Sequence, residues 1–201
     1  MGTTERRERH KQSLRREILD AAGQLFIDEG FEAVTMRKVA ERIEYSPTTI
    51  YLYFRDKDEL FRTICEETFG ELKRRLDKLS GRGLTPLEFL RQGLRLYVKF
   101  GLEHPAHYTL TFSHRHQAAG GHTYETSIGK QAFEHLRAAV ASCVESGDIR
   151  TPSVDASAQA LWAAAHGLVS LLIAHKDFPF VGQRTLIDHT IDTMVAGLEA
   201  R

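Results

Sequence analysis

Residues 36–60 read MRKVAERIEYSPTTIYLYFRDKDEL: a short helical pattern, a break, a second short helix, then the start of a third. Thr35 stands where a cap belongs, and Val39, Ala40 and Ile43 form the buried face of the first helix. Ser46-Pro47 supplies the next cap and first helical residue, because proline lacks the amide hydrogen that goes unpaired there. Ile50 and Phe54, four apart, share one face of the second helix, leaving Thr48, Thr49, Tyr51 and Tyr53 on the others. Asp56 with Glu59 opens the third helix in the manner of a capping box.

A brace, a turn and a hydroxyl-rich second helix are the parts of a helix-turn-helix, in which the brace holds the second helix so that its first turn reaches base edges. Any helical hairpin with a tight turn shares that spacing. On the helix-turn-helix reading, Thr35, Lys57 and Tyr53 position the protein on phosphates, while Arg37, Thr48, Thr49 and Tyr51 read bases. Ser46, at the mouth of the reading helix, completes the set of DNA-binding candidates. The backbone amides of that first turn also favour phosphate.

Outward from this core the chain stays helical. Leu14, Ile18, Ala22, Leu25 and Phe26 form an apolar stripe, with Gly30 placed for a left-handed C-cap. Leu60, Phe61, Ile64, Phe69, Leu72, Leu76 and Leu79 continue the third pattern to the breaker cluster SGRG at 80–83. Thr85-Pro86-Leu87-Glu88 opens another helix, which stops at His104-Pro105. A short apolar piece spans 108–112, followed by a loop with a Gly120-Gly121 hinge. Further helices are predicted over 128–144, over 153–174 and, after DFPFVG, through Ile187 to Leu198. No alternating strand pattern and no internal repeat appears, so the class is all-α.

Composition adds bounds. Its 201 residues carry 27 Lys plus Arg against 27 Asp plus Glu, so overall charge selects no partner. Local charge does: across residues 5–16, Arg6, Arg7, Arg9, Lys11, Arg15 and Arg16 face only Glu5 and Glu8. That segment reads equally as a solvated tail and as a phosphate-binding arm. Cys65 and Cys143 sit far apart in apolar patterns, as buried thiols of a reducing compartment do. The start has no apolar h-region and no run approaches a membrane span, so the expectation is a cytoplasmic protein without membrane contact.

GFEAVTMRKVAERIEYSPTTIYLYFRDKDEL, with Phe26 ahead of it, resembles the N-terminal DNA-binding domain of the TetR family of one-component transcriptional repressors over about residues 14–65. The resemblance rests on Gly30-Phe31, Thr35-Met36-Arg37, Val39-Ala40, Ser46, Thr49-Ile50-Tyr51, Tyr53-Phe54, Lys57 and Glu59-Leu60. It implies a homodimer on double-stranded operator DNA, with Thr35, Thr49, Tyr51, Tyr53 and Lys57 among the contacts. Two positions depart: Glu44 stands where the family commonly has a turn glycine, and Thr48 where many members have another.

The resemblance further implies a three-helix DNA-binding domain with its basic arm over 1–62, and a larger ligand-binding and dimerisation domain over 63–201. Trp162, His166 and Gly167 are similar to a Trp-x-x-x-His-Gly signature on the penultimate helix of one C-terminal subfamily. Ala164, Leu168, Leu171, Leu172, Ile191, Met194, Val195 and Leu198 are then the dimer candidates, although an intrachain core would use the same stripes. A pocket for a small organic effector is implied among the middle helices, with Phe69, Phe89, Tyr97, Phe100, Tyr108, Phe112, Trp162 and His166 as its candidate walls and polar handles.

Other functions find less in the residues. His114, His116 and His122 suit a metal sensor in type, but no cysteine or carboxylate joins them at ligand spacing, and no metal or cofactor is expected. No nucleophile elbow, zincin helix, phosphate loop or dinucleotide fingerprint occurs, so the chain is read as no enzyme. The alternatives are an all-α enzyme whose carboxylates meet from distant helices, and a helical interaction module that binds no DNA.

Overall fold

A computed structural model of the chain describes residues 3–113 and 128–200. Among them are nine α-helices: α1 (Thr3–Glu29), α2 (Met36–Arg42), α3 (Pro47–Tyr51), α4 (Lys57–Ser80), α5 (Pro86–Glu103), α6 (Pro105–Ser113), α7 (Ile128–Glu145), α8 (Val154–Ala174) and α9 (Gln183–Ala196). The fold is all-α, with one isolated backbone bridge, Ile149 to Glu199, among the described residues. The His114, His116 and His122 cluster and the Gly120-Gly121 hinge lie outside them.

Two compact units emerge. The first contains α1 to α3, α4 as far as Thr68, and α6 from Ala106. Its core takes Leu14, Ile18, Ala22, Leu25 and Phe26 from α1, Val39 and Ala40 from α2, Ile50 from α3, and Leu60, Phe61 and Ile64 from α4. Phe31 stacks on Phe26 at 5.3 Å between ring centroids and meets the Phe61 ring edge-on at 5.3 Å. Burying each such side chain is worth about 1.5–3 kcal/mol, which is what holds helices as short as α2 and α3. Leu110 of α6 belongs to the same core, so this unit takes in a helix that the sequence reading counts with residues 63–201.

Two local expectations change. Gly30 does have a positive φ of 81°, but its ψ of 157° is extended and not left-handed helical, because the chain leaves α1 for a 3-10 turn at Phe31–Ala33. The basic segment over 5–16 is not a tail: it is the beginning of α1, exposed from Glu5 to Ser13.

In the second unit, α5 packs on α7, α8 and α9, and α8 also packs on α7 and α9. Thr85 and Glu88 close a full capping box on α5, and Ser153 caps α8 through the Ala156 amide. Arg91 and Arg95 of α5 hold Asp192 of α9 at 2.6 and 2.8 Å, Arg95 also holds Asp188 at 2.6 Å, and Arg91 pairs with Glu199. α8 overturns one expectation: its 21 residues, at a mean hydropathy of 1.4 over the best window, are long and apolar enough to cross a membrane. Part of that apolar surface serves packing within the unit, with Ala158, Leu161, Ala165, Leu168 and Val169 buried, alongside the polar Ser157.

Candidate DNA-binding surface

The turn between α2 and α3 is a Schellman closure. The Tyr45 amide donates to the Ala40 carbonyl at 3.0 Å and the Glu44 amide to the Glu41 carbonyl at 3.3 Å. This geometry needs a left-handed residue, and Glu44 takes that role with φ 59°, the one non-glycine residue at positive φ among those described. A glutamate therefore occupies a glycine conformation without displacing the turn.

Ser46 then caps α3, accepting from the Thr49 amide at 3.2 Å, with Pro47 at the first helical position. α3 ends at Tyr51, short of the expected Phe54, but the Phe54 amide still donates to the Ile50 carbonyl at 3.0 Å. Ile50 is fully buried and Phe54 nearly so, which pins the inner side of this segment to the core. The outer face carries exposed Thr48 and Tyr51, the latter 55% exposed. Leu52, at the C-cap, is 79% exposed, although one leucine beside an apolar stripe has the sequence pattern of a core residue. An apolar side chain presented there suits a thymine methyl group.

The remaining sequence candidates divide. Thr49 is half-buried and its hydroxyl bonds Ser46 Oγ at 2.9 Å, so it orders the helix start as much as it faces outward. Tyr53 is half-buried against the core. Thr35 is exposed and caps α2 by accepting from the Lys38 amide at 3.2 Å. Arg37 is exposed and holds Glu41 at 2.9 Å, an i,i+4 surface pair weak enough to open for a base edge. Lys57 differs from expectation: its ammonium donates to the Phe31 carbonyl at 3.1 Å, lies 4.4 Å from that ring's centroid and sits 3.7 Å from Glu32, so it ties α4 to the turn after α1. Any contact it makes with phosphate competes with these.

The eight ligand candidates do not come together in one unit. Tyr108 and Phe112 meet in the first, their tilted rings 4.7 Å apart between centroids. In the second, Trp162 donates to Tyr97 Oη at 3.2 Å and packs near Phe133 and His166, at 5.9 and 6.1 Å between centroids. Burial lowers the His166 pKa, which favours the neutral ring that meets Ser170 at 3.4 Å. Phe69 and Phe100 join Leu72 and Leu76, and Phe89 is half-buried on α5. An open cleft of about 590 Å³ lies elsewhere, on α1 and the end of α2, lined by Ser13, Arg16, Glu17, Asp20, Arg42 and Ile43 among others.

The dimer candidates divide too. Leu168, Ile191 and Val195, at 6%, 2% and 0% exposure, are consumed by the subunit's own core, since α8 packs on α5, α7 and α9, and α9 packs on α5 and α8. Ala164, Leu171, Leu172, Met194 and Leu198 remain partly or largely accessible. A side chain added at Gly167 would meet nothing within 4 Å, so packing inside the subunit does not require its smallness.

A capped reading helix behind a Schellman turn, anchored from within and bearing tyrosine and threonine outward, defines a helix-turn-helix protein. The profile of bacterial regulatory proteins of the tetR family matches residues 18–64, and that of the tetracyclin repressor-like C-terminal domain matches residues 90–198. The chain belongs to the TetR family of bacterial regulatory proteins. It is 44% identical over 69 residues to the HTH-type transcriptional regulator YfiR of Bacillus subtilis (strain 168), covering 34% of each chain. It is 33% identical over 90 residues to the HTH-type transcriptional repressor KstR of Mycobacterium tuberculosis, covering 45% of this chain and 39% of the other. Both matches span well under half of the curated relatives' length. A tetR-family regulatory protein from Rhodococcus RHA1 shares the fold, with a TM-score of 0.77 at 15% identity over 93% of this chain and 97% of that one.

Proposed function

We propose that this chain is a DNA-binding transcriptional regulator that acts as a homodimer on a palindromic operator, and that it is a repressor released by a small-molecule effector. The observation that carries the reading is the outer side of α3 and its C-cap: Thr48, Tyr51 and Leu52 stand in solvent, while Ile50 within the helix and Phe54 just after it lock the inner side into the core. Large exposed side chains on a rigid helix cost solubility and return nothing within the subunit, whereas a duplex groove accepts all three.

Residues 1–62 carry the DNA-binding role and 63–201 the ligand-binding and dimerisation roles. Dimerisation is supported by α8, of whose apolar window only 33% is buried within the chain, and by the outward row Ala160, Ala163, Gly167 and Leu171. Paired copies then set two reading helices into successive major grooves, about 34–36 Å apart. Effector binding is supported by the aromatic group around Trp162, and the spacing of Trp162, His166 and Gly167 supports membership of the subfamily with that signature. Repression follows the relative named as a repressor. The effector's effect on operator affinity needs a coupling of only about 1–3 kcal/mol.

The test is selection of bound duplexes from a random pool by the full chain, repeated in the presence of candidate ligands. A recovered palindrome with ligand-dependent release is the expected result. Recovery of no preferred sequence at low salt would sink the DNA-binding half.

A further inference from the structure

The N-terminal part of α1 is helix without a core. Residues 5–13 are all exposed, although they continue the helix that buries Leu14, Ile18, Ala22 and Leu25. Two turns that bury nothing draw no stability from packing, so a contact outside the subunit would add to their order.

Several cations elsewhere in the same unit are paired, although Arg42 and Arg62 form no ion pair among the described residues. Arg15 holds Glu67 at 2.6 Å, Arg16 holds Asp20 at 3.1 Å, Lys38 holds Glu29 at 2.5 Å and Arg55 holds Asp56 at 2.8 Å. Arg6, Arg7 and Lys11 have no such partner among the described residues. Helical phase separates these three. Arg7 and Lys11 extend the buried stripe backwards, through the spacing Arg7, Lys11, Leu14, Ile18, so they project on the side of α1 that faces the unit's body. On that side Arg15 places its guanidinium 5.4 Å from the centre of the Phe54 ring, just past the end of the reading helix. Lys11 and Arg7 lie one and two turns beyond it, about 6 and 12 Å further along the axis. Arg6 and Arg9 point away from this side, and Arg9 spends a bond on the Glu5 carbonyl.

We infer that Arg7 and Lys11 grip the DNA backbone flanking the site that α3 reads, and that this contact orders the first turns of α1. The inference rests on the DNA-binding reading above. A reading helix lying in a groove ends near the groove wall, and a cationic face overhanging that end meets phosphates and not base edges. The contact therefore adds affinity and salt dependence without sequence preference.

The experiment uses full-length protein and two fluorescent duplexes: one recovered by selection with ample flanks, and the same sequence trimmed to its half-sites. Arg7→Gln/Lys11→Gln is compared with the charge-matched Arg6→Gln/Arg9→Gln, all four positions being exposed so that folding is spared. On the long duplex the first double variant should lower the slope of log affinity against log salt by about 1.8, since each released phosphate contributes about 0.9. Wild type should accordingly lose roughly tenfold more affinity than that variant between 50 and 200 mM salt. The second double variant should change the slope by under about 0.5, and on the trimmed duplex wild type and the first variant should converge. Equal slope changes for the two double variants, or none for the first, overturn the inference while leaving the regulator intact. Failure of wild type to bind either duplex at low salt overturns both.

Discussion

Ser46 Oγ accepts the Thr49 amide hydrogen at 3.2 Å while bonding the Thr49 hydroxyl at 2.9 Å, so one serine fixes both the backbone and a side chain at the start of the reading helix. The two bonds serve a helix of only five residues, which has too few internal hydrogen bonds to keep its shape unaided.

Ser46→Ala removes this cap and is expected to cost about 1 kcal/mol. In a chain of this size that is a fall of roughly 2–4 °C in Tm, with operator affinity falling further because Thr49 loses its orientation. Calorimetry and anisotropy on the same sample check it; an unchanged Tm refutes the capping role.

Tyr51 is 55% exposed and supports nothing inside the subunit, so Tyr51→Ala should leave the melting midpoint and the sedimentation mass as they are. Preference for the selected duplex over a scrambled one should disappear. If the preference survives, Tyr51 is no base reader.

Glu44 holds φ 59°, a conformation that costs an L-residue about 1–2 kcal/mol and glycine very little. Glu44→Gly should raise stability by about 0.5–1 kcal/mol, the greater freedom of glycine in the unfolded chain cancelling part of the gain. Denaturant unfolding measures the sign, and a destabilised variant contradicts the left-handed turn.

Leu171 is 49% exposed on the outward side of α8, one turn beyond Gly167. Leu171→Glu places a charge where the proposed partner helix packs, and should shift sedimentation equilibrium from dimer to monomer. A variant that stays dimeric moves the interface elsewhere.

The α5 to α9 clamp makes acid stability depend on Asp192. Burial raises the pKa of this carboxyl, but the hydrogen bonds and charges of Arg95 and Arg91 outweigh that and leave it lowered. A lowered carboxylate pKa contributes stability above the unfolded value of about 3.9, and the contribution is lost as pH falls through the folded value. Thermal melts below about pH 4 should therefore drop less steeply for Asp192→Asn than for wild type. The effect is modest, as the Asp192 side chain is 48% exposed. Parallel acid limbs would show that the clamp contributes nothing measurable.

Much of the local structure was legible along the chain. Caps at Thr35, Ser46, Asp56 and Thr85 depend on a hydroxyl or carboxylate meeting an amide three residues on, and all four form. Period-3.6 stripes likewise named the buried faces, from Leu14 to Phe26 and from Leu60 to Leu79. Such features follow from neighbours within a turn or two, and sequence spacing encodes them.

What spacing left open was which of several similar side chains would be spent inside the fold. Lys57 looked free for phosphate until Phe31 and Glu32, 26 and 25 residues away, folded against it. Leu168, Ile191 and Val195 looked no different from Leu171 until the packing of α5, α7, α8 and α9 buried the first three. Leu110 joined the core around the reading helix from a helix far along the chain, and Leu52 stayed outside it. Local pattern says that a residue is apolar or charged; whether it meets a partner depends on helices packing across long sequence separations, and no short window of sequence contains that information.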